Sequence, residues 1–306
     1  MTGLEADEMT STLKEMKKYK HCYLWIAPFF ILFAVFYIYP AVSGFLISLT
    51  NFDGLGTVAA ADHIGFKNYE KLLRDDKFWK SLMNTVLIWL YIVPLRTFLA
   101  LILAAVLNSS RLTGKRVYSV IVLLPYITAV AVAAIIFRIL LTTEGGLINV
   151  LLERCLGIGP VGWLDTTALS KVSVAFMNIW RMTGYFSLVL LAGMQKIPGS
   201  VGEAASIDGA GAFTKFFKIT LPLMVPEIFF VVLMSTIWIF QNVGDVMVLT
   251  QGGPMNSSTT LVYYMYQNAY EYSKMGYAAA ITYVLFAFLV ILSVFVVKNY
   301  YGRTEE

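Results

Sequence analysis

The sequence predicts an all-α polytopic membrane protein, and three observations carry that reading. The first is composition: of 306 residues, 58% are hydrophobic and only 14% charged, with a mean hydropathy of +0.71, far from a soluble domain. The second is length. Apolar runs of roughly 20 residues, enough to cross a bilayer, fall near 23–49, 82–107, 117–141, 172–194, 221–249 and 277–297, giving about six spans. The third is pattern: the runs are uniformly apolar rather than alternating. Hydrocarbon obliges each backbone N–H and C=O to bond within its own segment, so the spans are helices and not barrel strands.

The elements follow in order. Residues 1–21 open with Glu5, Asp7 and Glu8 and lead into an apolar run too long for a cleavable signal, so they read as a hydrophilic segment before a retained anchor. Lys14, Lys17, Lys18 and Lys20 precede the first span, Arg111, Lys115 and Arg116 follow the second, Lys196, Lys215 and Lys218 follow the fourth, and Lys298 and Arg303 lie at the end, with 302–306 as a short tail. All lie on one side of an even-span topology, which the positive-inside bias makes cytoplasmic, both termini included. On the other side, 142–170 carries only Arg154 and 250–276 only Lys274. In 53–80, Lys67, Lys71, Arg74, Lys77 and Lys80 are balanced by Asp53, Asp62, Glu70, Asp75 and Asp76, which reads as a folded outer segment with a short helix through Tyr69 to Leu73. The formal charge of +4 is this inside bias and not a nucleic-acid footprint. Cys22 and Cys155 fall on opposite sides of the membrane, so no disulfide is expected. Pro28, Pro40, Pro94, Pro125, Pro222 and Pro226 lie in or beside spans and mark ends and kinks. The stretch from Gly145 to Asp165, with Trp163 at headgroup depth, reads as a partly apolar segment on the outer surface. It is either a packing cap or part of a docking face.

Between the fourth and fifth spans, 195–220 is much longer than a turn requires and carries Lys196, Glu203, Asp208, Lys215 and Lys218. Pro198 suits a helix start because no N–H is needed there, and Glu203 is expected in the first turns, where a carboxylate favours the positive end. Ala204 and Ala205 form helix without bulk, so a partner surface can approach closely. Gly209 then allows the chain to turn. The expected product is a short helix, a turn and a second short helix entering the membrane at Leu221-Pro222.

The spacing E-A-A-x3-G-x9-I-x-L-P, from Glu203 to Pro222 with Ile197-Pro198 before it and Ile207-Asp208-Gly209-Ala210 inside it, resembles the cytoplasmic coupling loop of permease subunits of carbohydrate ABC importers. The resemblance implies the type I ABC importer permease fold in a bacterial inner (plasma) membrane, of the shorter lactose, glycerol-phosphate and multiple-sugar type. Glu203, Ala204, Ala205, Asp208 and Gly209 would then sit in a cleft of an ATPase subunit. The chain has no G-x-x-x-x-G-K-[ST] phosphate loop. It is therefore expected to bind no cofactor itself and to be no enzyme, with ATP and Mg held by two ATPase subunits. A second, homologous permease subunit and an extracytoplasmic solute-binding protein complete the implied assembly. Leu249-Thr250-Gln251-Gly252-Gly253-Pro254, with Ser258 to Leu261 and Tyr270-Glu271, resembles the outer loop that lies under the docked binding protein in such importers.

Polar groups within spans are costly and face a pathway or a partner. Asn178, Arg181, Met182 and Tyr185 recur at helical spacing in the fourth span, and Ser235, Trp238, Ile239 and Asn242 in the fifth, with Gln241 and Asp245 adjacent. Two such stripes suggest one lined cavity, aromatic rings stacking on sugar C–H faces and polar groups meeting hydroxyls. The plainer reading is interhelical hydrogen bonding. Alignment on Glu203 places Asn178, Tyr185, Ser235 and Asn242 on identical sugar-contacting residues of the maltose-type permease, and Trp238 on another aromatic. Arg181 stands where that relative is apolar, and Ile239 where it has an amide. An Arg binds carboxylate or phosphate bidentately, so an acidic sugar or glycerol phosphate stays open beside a neutral sugar, as does a structural pair with another subunit. An ion-coupled secondary transporter would show inverted repeats and a coupling-ion site. A membrane enzyme would cluster His, Asp or Glu in the spans. Neither pattern is present in the sequence.

Overall fold

The computed structural model describes residues 20–109 and 112–302; Lys14, Lys17, Lys18, Arg111, Arg303 and the rest of the two ends lie outside the described residues. Helix α1 (20–48) runs from Lys20–Phe33 through a widened π turn, Ala34–Ile38, into Tyr39–Ser48. A short helix, α2 (Lys67–Leu73), precedes the long α3 (Asp76–Asn108). Next come α4 (Lys115–Ile127), α5 (Val130–Leu140), α6 (Leu147–Leu156) and α7 (Leu169–Met194). Helix α8 (Gly199–Ile207) and α9 (Ala212–Leu223) form a hairpin leading into α10 (Val225–Gln241) and the short α11 (Gly244–Leu249). Helix α12 (Leu261–Tyr266) extends as a π turn over Gln267–Glu271, and α13 (Met275–Gly302) closes the chain. Among the described residues the β content is an isolated bridge between Thr50 and His63.

Four helices are individually long and apolar enough to cross a bilayer: Leu24–Ser48, Asp76–Asn108, Leu169–Met194 and Met275–Lys298. Two more runs meet the test only as bent pairs. The run expected as one span at 117–141 is α4 and α5, which meet at 88°. The break lies three and four residues beyond Pro125, where Thr128 and Ala129 turn to ψ 130° and 136°. The run at 221–249 is likewise divided: α9 joins α10 at 66°, and Asn242, with ψ 120°, separates α10 from α11. Pro94, by contrast, lies inside an unbroken α3. Two of the three π turns among the described residues, at 34–38 and 216–220, stop two residues before a proline, Pro40 and Pro222. A proline lacks the N–H that would close the preceding turn and crowds its carbonyl, and a wider turn relieves both.

Lipid tails are as apolar as leucine, so the bundle is held by close packing and hydrogen bonds rather than by escape from water. The most extensive contact joins α3 to α7, where Ala100 and Ala104 are wholly buried against Met182, Phe186 and Leu190. Helix α4 meets α7 at Gly184, where an added Cβ would lie 1.8 Å from the Val122 carbonyl oxygen. At the end of the bundle carrying 250–260, Asp75 caps α3 by accepting from the Lys77 and Phe78 amides at 2.9 and 3.3 Å. The same carboxylate accepts 2.6 Å bonds from the Tyr264 and Tyr277 hydroxyls, tying α12 and α13 to α3. Asn84 donates to the Asn256 and Thr259 carbonyls at 2.9 and 3.0 Å, and Lys171 to the Ser257 carbonyl at 3.0 Å. The loop 250–260 is thereby wedged between the first turns of α3 and α7. The segment after Gly146 is the helix α6, and Asn149 on it accepts a 2.9 Å bond from the Trp163 indole. Helix α1 is the least buried span, with Ser48 at its end the buried residue among those described.

Candidate functional site

Helices α3 and α7 start at the same end and run side by side, which brings Arg96 of α3 against Asn178 and Arg181 of α7. Helix α10 would carry its polar stripe past them, but it stops at Gln241. Asn242 leaves the helix and its side-chain oxygen accepts from the Asp245 amide at 3.2 Å, which starts α11 and turns the Asp245 carboxylate inward. A connected cluster results. Arg96 Nη1 donates to Asn178 Oδ1 at 2.8 Å, and Asn178 Nδ2 donates to Asp245 Oδ2 at 2.5 Å. Asn242 Nδ2 donates to the same oxygen at 2.8 Å, and Arg181 Nη2 lies 3.5 Å from Asp245 Oδ1. Arg96, Asn178 and Asp245 are 1%, 2% and 3% exposed, and Arg181 9%. A charge at this depth is tolerated only with partners; Arg96 also places its guanidinium 4.6 Å from the Phe186 ring centre.

Beside this cluster lies an open cleft of ≈ 360 Å³ lined by Arg96, Tyr126, Val130, Asn178, Arg181, Met182, Trp238, Ile239, Gln241, Asn242 and Gly244. Of the residues the sequence singles out, Asn178, Arg181, Met182, Trp238, Ile239, Gln241 and Asn242 meet on this wall. Tyr185 and Ser235 do not. Tyr185 lies behind it, stacked on Tyr126 at 4.7 Å between ring centres and 5.5 Å from Trp238. Ser235 is wholly buried. Asn242 also departs from the expected helical stripe, since it sits at the break. Arg96, Tyr126, Val130 and Gly244 are on the wall without having been singled out. For Arg96 the signal was present: it is the one charged residue in the apolar run 82–107. Among the described residues no group of three or more His, Cys, Asp or Glu is placed to hold a metal ion.

At the opposite end α8 and α9 form the hairpin expected of 195–220. Pro198 is the residue before the first turn rather than within it, and Glu203 lies in the second turn, since α8 has no acidic residue in its first. Glu203 thus falls within the first two turns, as expected, with its carboxylate one turn removed from the helix start at Gly199. Gly209, at φ +76°, closes α8 in a left-handed turn, with Ala210 N–H donating to Ala205 O at 2.9 Å and Gly209 N–H to Ser206 O at 3.1 Å. Lys215 hydrogen-bonds back to Ser206. Glu203, Ala204, Asp208 and Gly209 are exposed while Ala205 is buried. Ile207 and Phe213 are 87% and 79% exposed on the same hairpin, an apolar pair that residue spacing did not single out. At its base Lys196 reaches Glu227 of α10 at 3.4 Å, so the hairpin is anchored to two of the helices that line the cleft, α7 and α10.

A bent-helix membrane bundle with a polar mid-span cleft and an exposed basal hairpin defines the permease class of transport proteins. Residues 96–304 match the family described as binding-protein-dependent transport system inner membrane component, and the chain belongs to it. It is 32% identical over 289 residues to a lactose transport system permease protein of Rhizobium radiobacter, covering 93% of this chain and 96% of the relative. It is 34% identical over 297 residues to a trehalose/maltose transport system permease protein of Thermococcus litoralis, covering 97% and 98%. Among solved structures, a chain of a bacterial ABC transporter that imports the acidic polysaccharide alginate superposes with a TM-score of 0.81 at 21% identity, covering 96% of this chain and 99% of that one. That likeness establishes the fold. The protein is thus a multi-pass membrane permease subunit.

Proposed function

We propose that this chain is one of two permease subunits of an ATP-driven importer that carries a sugar or oligosaccharide from a solute-binding protein into the cytoplasm. The observation that carries the reading is mechanical continuity. The exposed α8–α9 hairpin is joined directly to α7 and α10, and those two helices furnish most of the polar wall of the cleft. A partner that moves the hairpin moves the cleft. Two ATPase subunits would hold ATP and Mg, and one of them would grip Glu203, Ala204, Asp208 and Gly209, with Ile207 and Phe213 entering an apolar recess. This chain would bind no cofactor of its own and carry out no covalent chemistry. A homologous permease would complete the pathway, and the binding protein would dock over 250–260. Both termini would then be cytoplasmic, as the basic loops require. The sugar class is supported by the transport proteins the chain resembles and by Trp238 and the Tyr126–Tyr185 stack beside the wall.

Gly209→Val tests the coupling. The left-handed φ of +76° is costly for a β-branched residue, so the hairpin should distort while nothing near the cleft changes. When the complex is purified through the partner permease, ATPase retention or substrate-stimulated hydrolysis should fall. Normal values of both would remove the coupling assignment.

A further inference from the structure

The cleft presents two positive side chains and no negative one: Arg96 and Arg181 line it, whereas Asp245 does not. Asp245 is spent from behind. Its Oδ2 already accepts from Asn178 and Asn242, and its Oδ1 lies at 3.5 Å from Arg181. One carboxylate therefore serves two guanidinium groups, leaving a formal excess of one positive charge in a water-poor part of the bundle. The excess has a geometric counterpart: Arg96 Nε, Arg96 Nη2 and Arg181 Nε are buried without any hydrogen-bond acceptor. Buried donors on a charged group are the costliest to leave unmade. Sugar hydroxyls could accept from them but would leave the charge uncancelled; a carboxylate offers about four acceptor positions and cancels it. We propose that the cleft takes a sugar bearing an acidic group, drawn to the charge of Arg181 and Arg96, whose buried unpaired donors it meets once the side chains shift toward the cleft, while Trp238 covers the ring. The inference rests on the importer reading above and narrows its substrate to anionic sugars.

The test uses the complete importer in nanodiscs and three probe pairs that differ only by a carboxylate: glucuronate and glucose, galacturonate and galactose, mannuronate and mannose. Binding is read from the intrinsic fluorescence lost in a Trp238→Phe variant. At least one uronate should quench this signal saturably, and its neutral counterpart should bind about 10- to 100-fold more weakly, the scale of one charge-assisted hydrogen bond. Arg181→Met should erase that difference, and Arg181→Lys, which keeps the charge without the fork, should retain part of it. Preference for the neutral member of each pair, or no binding by any probe, overturns the inference. So does a wild-type complex without preference from which Arg181→Met releases the partner permease, because the positive charge is then matched by that subunit. Hydrolysis of ATP measured on the same complexes separates the two claims: coupled hydrolysis with neutral-sugar preference keeps the importer and loses the anion.

Discussion

Replacing Asp245 by Asn removes one charge and almost no volume from the centre of the bundle. The Asp245–Arg181 contact, at 3.5 Å with side chains 4% and 11% exposed, is worth about 5 kcal/mol in gross Coulomb terms at an effective dielectric of about 20. The net cost differs, because Asn keeps one oxygen to accept from Asn178 or Asn242, and interhelical hydrogen bonds in bilayers average only about 0.6 kcal/mol each. What Asn cannot do is neutralise either guanidinium, and breaking one side of a buried ion pair typically costs about 3–5 kcal/mol. The expected destabilisation is therefore about 3 kcal/mol, read as a shift in the denaturant-induced unfolding of the purified chain in mixed micelles. The double variant Asp245→Asn with Arg181→Met should recover about 1–2 kcal/mol of that loss, since it also removes an uncompensated charge. An Asp245→Asn protein within about 0.5 kcal/mol of the parent, the usual range of a surface change, would refute the reasoning that this carboxylate compensates the arginines.

Two further outcomes follow from the packing. Burial alone would raise the Asp75 carboxyl, but the hydrogen bonds from Tyr264, Tyr277 and the Lys77 and Phe78 amides outweigh it and hold the group below the usual carboxylate range, while burial and the Asp75 bond push Tyr264 up to about 12. A lowered acid pKa stabilises the fold above its unfolded value and loses that contribution as pH falls through the folded value. Thermal stability of the parent should thus drop on acidification below the ordinary Asp range. In Asp75→Asn this component should vanish, and stability at neutral pH should fall by roughly 1–2 kcal/mol; identical acid profiles would remove the role given to Asp75. At the α4–α7 contact, Gly184→Ala sets a methyl 1.8 Å from a backbone oxygen. The helices must separate at a cost of about 1–3 kcal/mol, and an unchanged unfolding midpoint would show that the contact is looser than described.

The helical membrane class was legible because bilayer thickness imposes length and hydropathy on every span, and α1, α3, α7 and α13 lie on the apolar runs at 23–49, 82–107, 172–194 and 277–297. The hairpin was legible because Gly209 and the Glu-Ala-Ala run have local conformational meanings that survive any tertiary context. The bends were not. Hydropathy sums over a window and is blind to direction, so 117–141 read as one span although Thr128 and Ala129 turn the chain by 88°. The same blindness put Asn242 on a helical stripe. In the structure it ends the helix and aims Asp245 at residues more than sixty positions away, a consequence of side-chain capping that spacing alone does not reveal. Arg96 escaped notice because stripes were sought as repeats, and a lone charge has no period. Its meaning appears only when α3 and α7 are placed side by side.

The central claim is that this chain moves solute only when ATP hydrolysis elsewhere drives its hairpin. The direct measurement is uptake of labelled substrate of the cognate binding protein into proteoliposomes containing this chain and its partner permease, with and without the ATPase subunits. Accumulation is expected only with the ATPases, ATP and binding protein together, and none with a proton or sodium gradient in their place. Gradient-driven accumulation without the ATPase subunits would contradict the account and make the chain a secondary transporter.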